Sequence, residues 1–124
     1  MTTRSTTQAG NQSLGTPHEV GRRRTMRIIA VSTLRDFWSR PGRRDAEQPL
    51  RAWVHIVGAA DWSRPTDVKQ MFGSADILRN GRAIFDIGGN KYRLVAAIHY
   101  RGKRIYVRFI GTHREYDEID AETV

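Results

Sequence analysis

Hydrophobic positions along the chain follow two different periods, one before and one after the stretch near residue 80. In the first part, large apolar residues recur at i, i+3, i+4 and i+7, which predicts a helix with one apolar stripe. The members of this stripe are Leu50, Trp53, Val54 and Val57. In the second part, polar and apolar residues alternate, which predicts strands over residues 82–87, 91–100 and 103–110. The short turns between them, 88–90 and 101–102, are typical of antiparallel hairpins.

The segment before these strands predicts one further strand and three helical segments. An apolar strand covers residues 26–31, and Ser32 is placed to cap a short helix that reaches Trp38. Asp45 is expected to cap the helix with the apolar stripe, and Thr66 a third helical turn. Three side chains of that third turn are expected to face inwards: Val68, Met71 and Phe72.

The order of these elements predicts the fold class. After the last strand, residues 112–119 form a half-helix, so the chain reads as one strand, three helical segments, three strands and a final turn of helix. Strands that follow one another through short turns form antiparallel sheets, and the preceding helices then cover one face. The sequence therefore predicts an α+β domain with its N-terminal strand and helices packed on a small antiparallel sheet.

The alternation within the strands also predicts which side chains share a face. In the last strand, one face carries Ile105, Val107 and Phe109 and is expected to meet the helices. The other face carries Arg104, Tyr106 and Arg108, and Arg93 of the middle strand falls on the same side. The sequence thus predicts an open basic face on this sheet.

The first 25 residues differ in composition from the rest. They are rich in Thr, Ser, Gln, Gly and Arg, and Leu14 and Val20 are their only large aliphatic residues after Met1. Such a segment buries too little apolar surface to offset the entropy of ordering, so we expect residues 1–25 to be a disordered N-terminal extension. A targeting peptide is the alternative, but an apolar core for secretion is missing from this stretch. The folded domain is expected over residues 26–124, with Met26 as its start.

The distribution of charge along the chain indicates what kind of partner the protein binds. The net charge of the chain is +8, and residues 77–114 contain nine Lys or Arg against one acid, Asp86. Residues 115–124 contain five acids and no base. A sheet this basic is typical of a surface that binds a polyanion. Aromatic residues among the cations suit stacking of RNA bases: Tyr92, Tyr100, Tyr106 and Phe109.

Other features of the composition exclude several functional classes of protein. The chain has no cysteine, and its four histidines have no metal-ligand spacing, so neither a cofactor nor a metal is expected. No apolar run reaches the length of a membrane span, and we expect a cytoplasmic protein without a membrane partner. Because Lys and Arg are concentrated on strands, a DNA-binding regulator with a basic recognition helix is not indicated.

The candidate catalytic residues lie on and just after the last two strands: Arg93, Arg108, His113 and Tyr116. Arginine binds phosphate with a bidentate fork, and histidine transfers protons near neutral pH. Second contacts to RNA are expected from Asn90, Lys91, Arg104 and Tyr106. The structural alternative for the two arginines is an ion pair with the acidic C-terminal residues. Asp117, in turn, is placed either to pair with an arginine or to take a direct role.

These residues stand in a longer resemblance to a known family. The run SADILRNGRAIFDIGGNKYRLVAAIHYRGKRIYVRFIGTHREYDEIDAETV, preceded by WSRPTDVKQMF and DAEQPLRAW, resembles the HigB-type toxins of bacterial type II toxin–antitoxin systems. These are RelE-like mRNA interferases, and the resemblance covers about residues 26–124. It implies a RelE-like fold, cleavage of mRNA commonly in the ribosomal A site, and inhibition by a HigA-type helix-turn-helix antitoxin.

The resemblance also implies a mechanism without a metal or cofactor. The 2′-hydroxyl of the RNA attacks the adjacent phosphorus and leaves a 2′,3′-cyclic phosphate. Arg93 and Arg108 would stabilise the charge on the phosphoryl oxygens, His113 would act as general acid or base, and Tyr116 would stack on a base or assist proton transfer. The alternative is a ParE-like gyrase-inhibiting toxin or a non-catalytic RNA-binding protein on the same fold.

Overall fold

A computed structural model describes residues 24–124. The predicted disordered extension falls on residues 1–25, of which 1–23 lie outside the described residues. The elements follow the chain in this order: β1 Arg27–Ile29, α1 Val31–Trp38, a 3-10 turn Arg44–Ala46, α2 Glu47–Gly58, α3 Pro65–Met71, β2 Asp76–Ile77, β3 Arg82–Ile87, β4 Tyr92–His99, β5 Arg104–Thr112 and α4 His113–Tyr116. This order confirms the predicted α+β class.

Several elements differ from their predicted bounds: β4 is one residue shorter at each end, and α4 ends at Tyr116 and not at residue 119. The first strand is shorter than predicted, because Val31 already begins α1. β5 runs two residues further than predicted and ends at Thr112. β2 was not predicted, since its two residues are too few to show an alternating pattern.

The five strands form one mixed sheet in the order β1-β5-β4-β3-β2. Every neighbouring pair is antiparallel except β1 and β5, which are parallel. Parallel neighbours need a long connection, and here the whole chain between β1 and β5 supplies it. The sheet is therefore antiparallel where hairpins build it, as predicted, and parallel only at its N-terminal edge.

The main hydrophobic core lies between α1, α2 and one face of the sheet, which we call the helix face. The predicted stripe of α2 enters this core through Leu50, Trp53 and Val57, all buried. The ring of Trp53 meets that of Phe85 of β3 edge to face, with 5.4 Å between centroids. Aromatic contacts of this geometry add to the stability that comes from apolar burial alone.

The predicted helix caps are wrong. The N-cap positions of α1 and α2 are Ala30 and Ala46, and neither helix has a side-chain cap. Ser32 already lies inside α1, and the carboxylate of Asp45 is bound instead by Lys91 and the Tyr92 hydroxyl. A capping residue can be recognised in sequence, but a partner more than 40 positions away competes for it only in the folded chain.

The start of α3 is also built differently. Arg64, not Thr66, is its N-cap, and the carboxylate of Asp67 accepts hydrogen bonds from the main-chain N–H groups of Ser63 and Arg64. Val68 is buried as predicted, but Met71 is 53% exposed, contrary to the prediction. A helix of seven residues presents only about two turns to the core, so most of its side chains stay at the surface.

One extra residue in β5 changes the predicted faces of the sheet. Val95 of β4 pairs with Phe109 and Ala96 pairs with Val107, so Arg108 is left over between the two pairs as a β-bulge. Beyond the bulge, the alternation is shifted by one position. Phe109 therefore lies opposite Val95 on the face away from the helices, and its predicted place beside Ile105 and Val107 is wrong.

The face away from the helices, which we call the second face, is not open along its whole length. A second hydrophobic cluster covers part of it and includes Ile84, Val95, Ala121, Leu78, Phe109, Tyr116, Ile119 and Val124. The apolar residues of the C-terminal segment thus pack on the sheet beside Phe109. The predicted basic face is divided by this segment.

Two glycines with positive φ test how closely the chain packs against β4. Gly81 lies just before β3, and Gly89 lies in the turn between β3 and β4. Gly81 has φ +72°, and a Cβ there would lie 2.9 Å from the Ile98 carbonyl oxygen. Gly89 has φ +71° with no atom within 4 Å of a Cβ. We expect Gly89→Ala to cost only the strain of positive φ, and Gly81→Ala to cost more in total, up to about 3 kcal/mol in the free energy of unfolding. Urea unfolding measures both. Equal losses would show that the Ile98 main chain moves aside without cost.

Candidate active site

The last turn of helix is held by a reciprocal pair of hydrogen bonds at its start. The Thr112 hydroxyl accepts from the Glu115 main-chain N–H at 3.1 Å, and a Glu115 carboxylate oxygen accepts from the Thr112 N–H at 2.8 Å. This is a capping box. The hydrogen bond from Thr112 is the main cause of a lowered pKa at Glu115. Glu115 is therefore ionised at neutral pH and fixes α4, which carries His113 and Tyr116.

Glu115 also ties α4 to the helical layer. A guanidinium nitrogen of Arg43 lies 3.7 Å from its carboxylate, and the Arg43 guanidinium stacks over the ring of Phe37 in α1. Exposed ion pairs of this length contribute little to stability by themselves. The contact nevertheless limits where the short helix can lie relative to α1.

Tyr116 lies at the meeting point of the second hydrophobic cluster and the charged residues. Its ring centroid is 6.4 Å from that of Phe109 and 6.5 Å from that of His113. Burial raises the pKa of the phenol, and the positive charge of Arg93 opposes that shift. The phenol is therefore protonated at neutral pH and can donate a hydrogen bond. Arg93 pairs with Gly111 of β5, two residues before α4 begins, which brings α4 close to Arg93.

His113 is exposed, and its Nδ1 lies 3.6 Å from a carboxylate oxygen of Asp117, one turn further on. The sequence left open whether Asp117 pairs with an arginine, and the structure pairs it with His113. A carboxylate beside an imidazole favours the orientation in which the other ring nitrogen points away from it. In His113 this other nitrogen is Nε2.

Arg93 is held by two side chains of the adjoining strand and turn. Its Nη1 lies 2.5 Å from Asp86 Oδ1 and 2.5 Å from Asn90 Oδ1. Asp86 is directly opposite Arg93 in the pairing of β3 with β4. The side chain of Arg93 is only 16% exposed, so the guanidinium is confined as well as paired. The acidic partner of Arg93 thus comes from the sheet and not from the C-terminal residues.

Arg108, the bulge residue, has a different environment. It is exposed, and its Nε donates to the main-chain oxygen of Val124 at 3.1 Å. Arg82 donates to the same oxygen at 2.8 Å. Arg93 pairs with Gly111, three residues further along β5, so Arg108 lies roughly 10 Å away along the strand. The C-terminal segment is the partner of Arg108, through its main chain and not through its acids.

The four predicted RNA contacts are dispersed. Asn90 touches Arg93, whereas Lys91 is paired with Asp45, which lowers the pKa of Asp45 and raises that of Lys91. Arg104 is at the opposite end of β5 from α4, and Tyr106 lies two residues from it on the same face. The structure therefore brings together Arg93, Asn90, His113 and Tyr116.

Of the four aromatic residues predicted to stack on bases, one lies outside both hydrophobic clusters. Tyr92 is buried, Tyr100 packs against the main core and Phe109 belongs to the second cluster. Tyr106 is half-buried and belongs to neither cluster. Burial takes the Tyr92 ring away from a ligand, and contacts with the two clusters occupy part of the half-buried rings of Tyr100 and Phe109.

Four residues around the site were not identified from the sequence: Arg43, Asp86, Thr112 and Glu115. The spacing of Thr112 and Glu115 is that of a capping box, so this signal was present. Asp86 is the single acid among residues 77–114, which marks it as a partner for a cation. Arg43 has no such signal, because its contact spans more than 70 positions.

Within residues 24–124, no cluster of three or more His, Asp or Glu could hold a metal, and no helix there could cross a membrane.

Comparison with known proteins agrees with the α+β fold and identifies the family of this chain. The family model of the RelE-like toxic component of a toxin–antitoxin system, HigB toxin, matches residues 46–119. The chain belongs to this family. The predicted resemblance to HigB-type toxins is thereby confirmed.

Curated relatives carry the same family name. The chain is 32% identical over 72 residues to the mRNA interferase HigB of Escherichia coli O6:H1, covering 56% of this chain and 70% of that protein. It is 28% identical over 94 residues to the mRNA interferase toxin HigB of Escherichia coli K12, covering 74% of this chain and 88% of that protein.

The capping box allows a direct test of how α4 is held. Thr112→Ala removes the hydroxyl that accepts from Glu115, and we expect the free energy of unfolding to fall by about 1 kcal/mol. Thr112→Ser keeps the hydroxyl and is the matched control, expected to stay within about 0.5 kcal/mol of the parent. Urea unfolding followed by circular dichroism measures both. If the serine and alanine variants lose the same stability, the hydroxyl does not hold the helix.

Proposed function

We propose that this chain cleaves messenger RNA as the toxin of a type II toxin–antitoxin pair. Its membership of the HigB toxin family and the mRNA interferase names of its relatives support the activity. The observation that carries the proposal at the level of residues is the convergence of Arg93, Tyr116 and His113 at one end of the second face, where Arg93 pairs with Gly111 just before α4. A gyrase poison or a plain RNA-binding protein has no need of a confined arginine next to two proton-transfer groups.

In the proposed reaction, the RNA supplies the nucleophile. The 2′-hydroxyl loses its proton and attacks the adjacent phosphorus, the bond to the 5′-oxygen breaks, and that oxygen takes up a proton. The products are a 2′,3′-cyclic phosphate and a new 5′-hydroxyl. The protein has to orient the strand, stabilise the charge that develops on the phosphoryl oxygens and move the two protons.

Arg93 is proposed to stabilise the phosphoryl oxygens. Its contacts to Asp86 and Asn90 both use Nη1, and a guanidinium has five N–H donors in a fixed plane. The ion pair holds the guanidinium in one orientation before RNA binds, which is the condition under which a donor lowers a reaction barrier most. Asn90 is therefore a positioning residue for Arg93 in this proposal, in addition to any contact with RNA.

The structure favours different roles for His113 and Tyr116. The phenol of Tyr116 is protonated at neutral pH, so it suits the general acid or a hydrogen-bond donor to the leaving oxygen. The exposed imidazole of His113, beside Asp117, suits the general base that takes the proton of the 2′-hydroxyl. Arg108 is proposed to bind a phosphate of the same strand further along the sheet, where its contact to Val124 leaves other donors. Lys91 already pairs with Asp45, so its proposed contribution to RNA binding is limited to the attraction of its positive charge.

The proposed partner is a HigA-type helix-turn-helix antitoxin, and the proposed setting is the cytoplasm, where the ribosome presents the message. Family membership implies an antitoxin without specifying its type. The excess of positive charge on residues 77–114 supports the need for one, because an exposed cationic sheet binds RNA through release of counterions.

Primer extension on a reporter message tests the activity and the role of Arg93 together. We expect new 5′ ends with the parent protein and ribosomes, and their loss when the proposed helix-turn-helix antitoxin is added. Arg93→Lys should lower the rate about 10² to 10³-fold, because the ammonium keeps the charge but not the fork. Arg35→Lys, an exposed change on α1, is the control. Absence of cleavage by the folded parent with and without ribosomes would contradict the proposal and favour the gyrase-inhibiting or RNA-binding alternative.

A change of one hydroxyl distinguishes the two possible roles of Tyr116. Tyr116→Phe keeps an aromatic ring for stacking but removes the proton, so we expect kcat to fall about 10²-fold or more. Tyr100→Phe is the control, since Tyr100 packs against the main core. Single-turnover cleavage of a short RNA measures both variants. A Tyr116→Phe protein with parental kcat would assign Tyr116 to stacking and leave the acid elsewhere.

A further inference from the structure

A row of basic side chains crosses the sheet at the end opposite α4. Arg27 of β1 lies directly opposite Arg104 of β5, and Arg104 lies directly opposite His99 of β4. Residues directly opposite each other in a sheet project to the same face. We call these three residues the basic row, and the register places it on the second face, in line with Ala97, Tyr106 and Arg93.

Two members of the basic row converge over the hairpin turn between β4 and β5. The Gly102 N–H donates to His99 Nδ1 at 3.0 Å. A Cβ built on Gly102 would lie 2.6 Å from that nitrogen and 3.0 Å from a guanidinium nitrogen of Arg104. Because His99 Nδ1 accepts a hydrogen bond, the N–H of the neutral ring is on Nε2. Both side chains therefore hold donors ready at the same turn.

The positive charge of the basic row has no acidic partner within the described chain. No ion pair to Arg27, Arg104 or the neighbouring Arg101 occurs among residues 24–124. The Nε of Arg104 is buried and has no acceptor there. Like charges on adjacent strands destabilise a sheet, and a buried donor without an acceptor adds to that cost. An anionic ligand bound between the arginines would relieve the repulsion between their charges.

The basic row is too far from α4 to contact the phosphate that is cleaved. Arg93 and His99 are six residues apart on β4, which corresponds to about 20 Å. Arg82 and Arg108 lie between these ends, bound to the main chain of Val124. Because the C-terminal segment covers the middle of the second face, a strand of RNA that reached both ends would have to pass over that segment.

Tyr106 indicates the kind of polyanion. It lies two residues from Arg104 on the same face, half-buried and outside both hydrophobic clusters. An aromatic ring beside guanidinium groups is the combination that binds single-stranded RNA, with bases stacked and phosphates paired. An acidic protein segment would pair with the arginines, but its carboxylates would not stack on the ring of Tyr106.

We propose that the basic row and Tyr106 form a second RNA-binding site, which holds single-stranded RNA several nucleotides away from the cleaved bond. The inference rests on the proposed function for the identity of the RNA as substrate. It adds that affinity for long substrates comes from a surface separate from the catalytic end.

Equilibrium binding of RNA that cannot be cleaved separates this site from the reaction. The probes are 2′-O-methyl RNA, which lacks the nucleophile, of about 16 nucleotides and of about 4 nucleotides, the span of site sizes known for single-strand-binding folds. Each is titrated with the parent protein, with Arg27→Gln and with Arg101→Gln at several salt concentrations. Both changes are on exposed residues, and Arg35→Gln on α1 is the matched control.

For the long probe, the parent should show a steep linear dependence of log K on log salt concentration. Arg27→Gln should reduce the magnitude of this slope by about 0.7, the value for one phosphate contact with a single strand, and Arg101→Gln by no more than that. For the short probe, we expect little binding and no difference among the variants. Tyr106→Ala should weaken binding of the long probe by a salt-independent factor.

A slope for Arg27→Gln equal to that of the parent and of Arg35→Gln would overturn the second site. The same conclusion follows if Arg27→Gln leaves RNA binding intact and instead weakens binding of the antitoxin, which would make the basic row a protein interface. Cleavage is measured separately with ordinary RNA. A protein that binds the long probe through Arg27 but cleaves nothing would refute the proposed function and retain the second site.

Discussion

The β-bulge at Arg108 is the constraint on which the rest of the second face depends. One extra residue in β5 shifts the alternation of side chains, so Phe109 faces away from the helices while Ile105 and Val107 still face them. Phe109 then provides the apolar surface on which Tyr116 and the C-terminal residues pack. Without the bulge, Phe109 would enter the main core and the second hydrophobic cluster would lose its centre. The position of α4 is thus a consequence of strand register.

The candidate active site combines a residue on a central strand with two residues on a single turn of helix. Arg93 lies on a central strand and is confined by Asp86 and Asn90, so its orientation is set by the sheet. His113 and Tyr116 lie on a single turn of helix that has little stability of its own. The capping box between Thr112 and Glu115 and the packing of Tyr116 on Phe109 offset that weakness. The two groups proposed to transfer protons are thereby held on a short turn near a fixed guanidinium.

The second face has three zones with different physical character. The end near α4 holds Arg93, His113 and Tyr116. The middle is covered by the C-terminal segment, whose Val124 oxygen is bound by Arg82 and Arg108. The far end carries the basic row without acidic partners in the described chain. Under the two proposals made above, a face divided in this way would bind substrate at one end and cleave it at the other.

The sequence alone determined the α+β class, the three hairpin strands, the apolar stripe of α2 and the concentration of positive charge on the sheet. These are local properties, read from periodicity, turn residues and composition within a few positions. The tertiary structure decided the bulge, the parallel pairing of β1 with β5 and the partners of Asp45, Arg93 and Arg108. The bulge depends on register with a neighbouring strand, and Asp45 is claimed by residues more than 40 positions away. A single sequence does not show which distant groups will bind a given side chain, because those groups come together only when the chain folds.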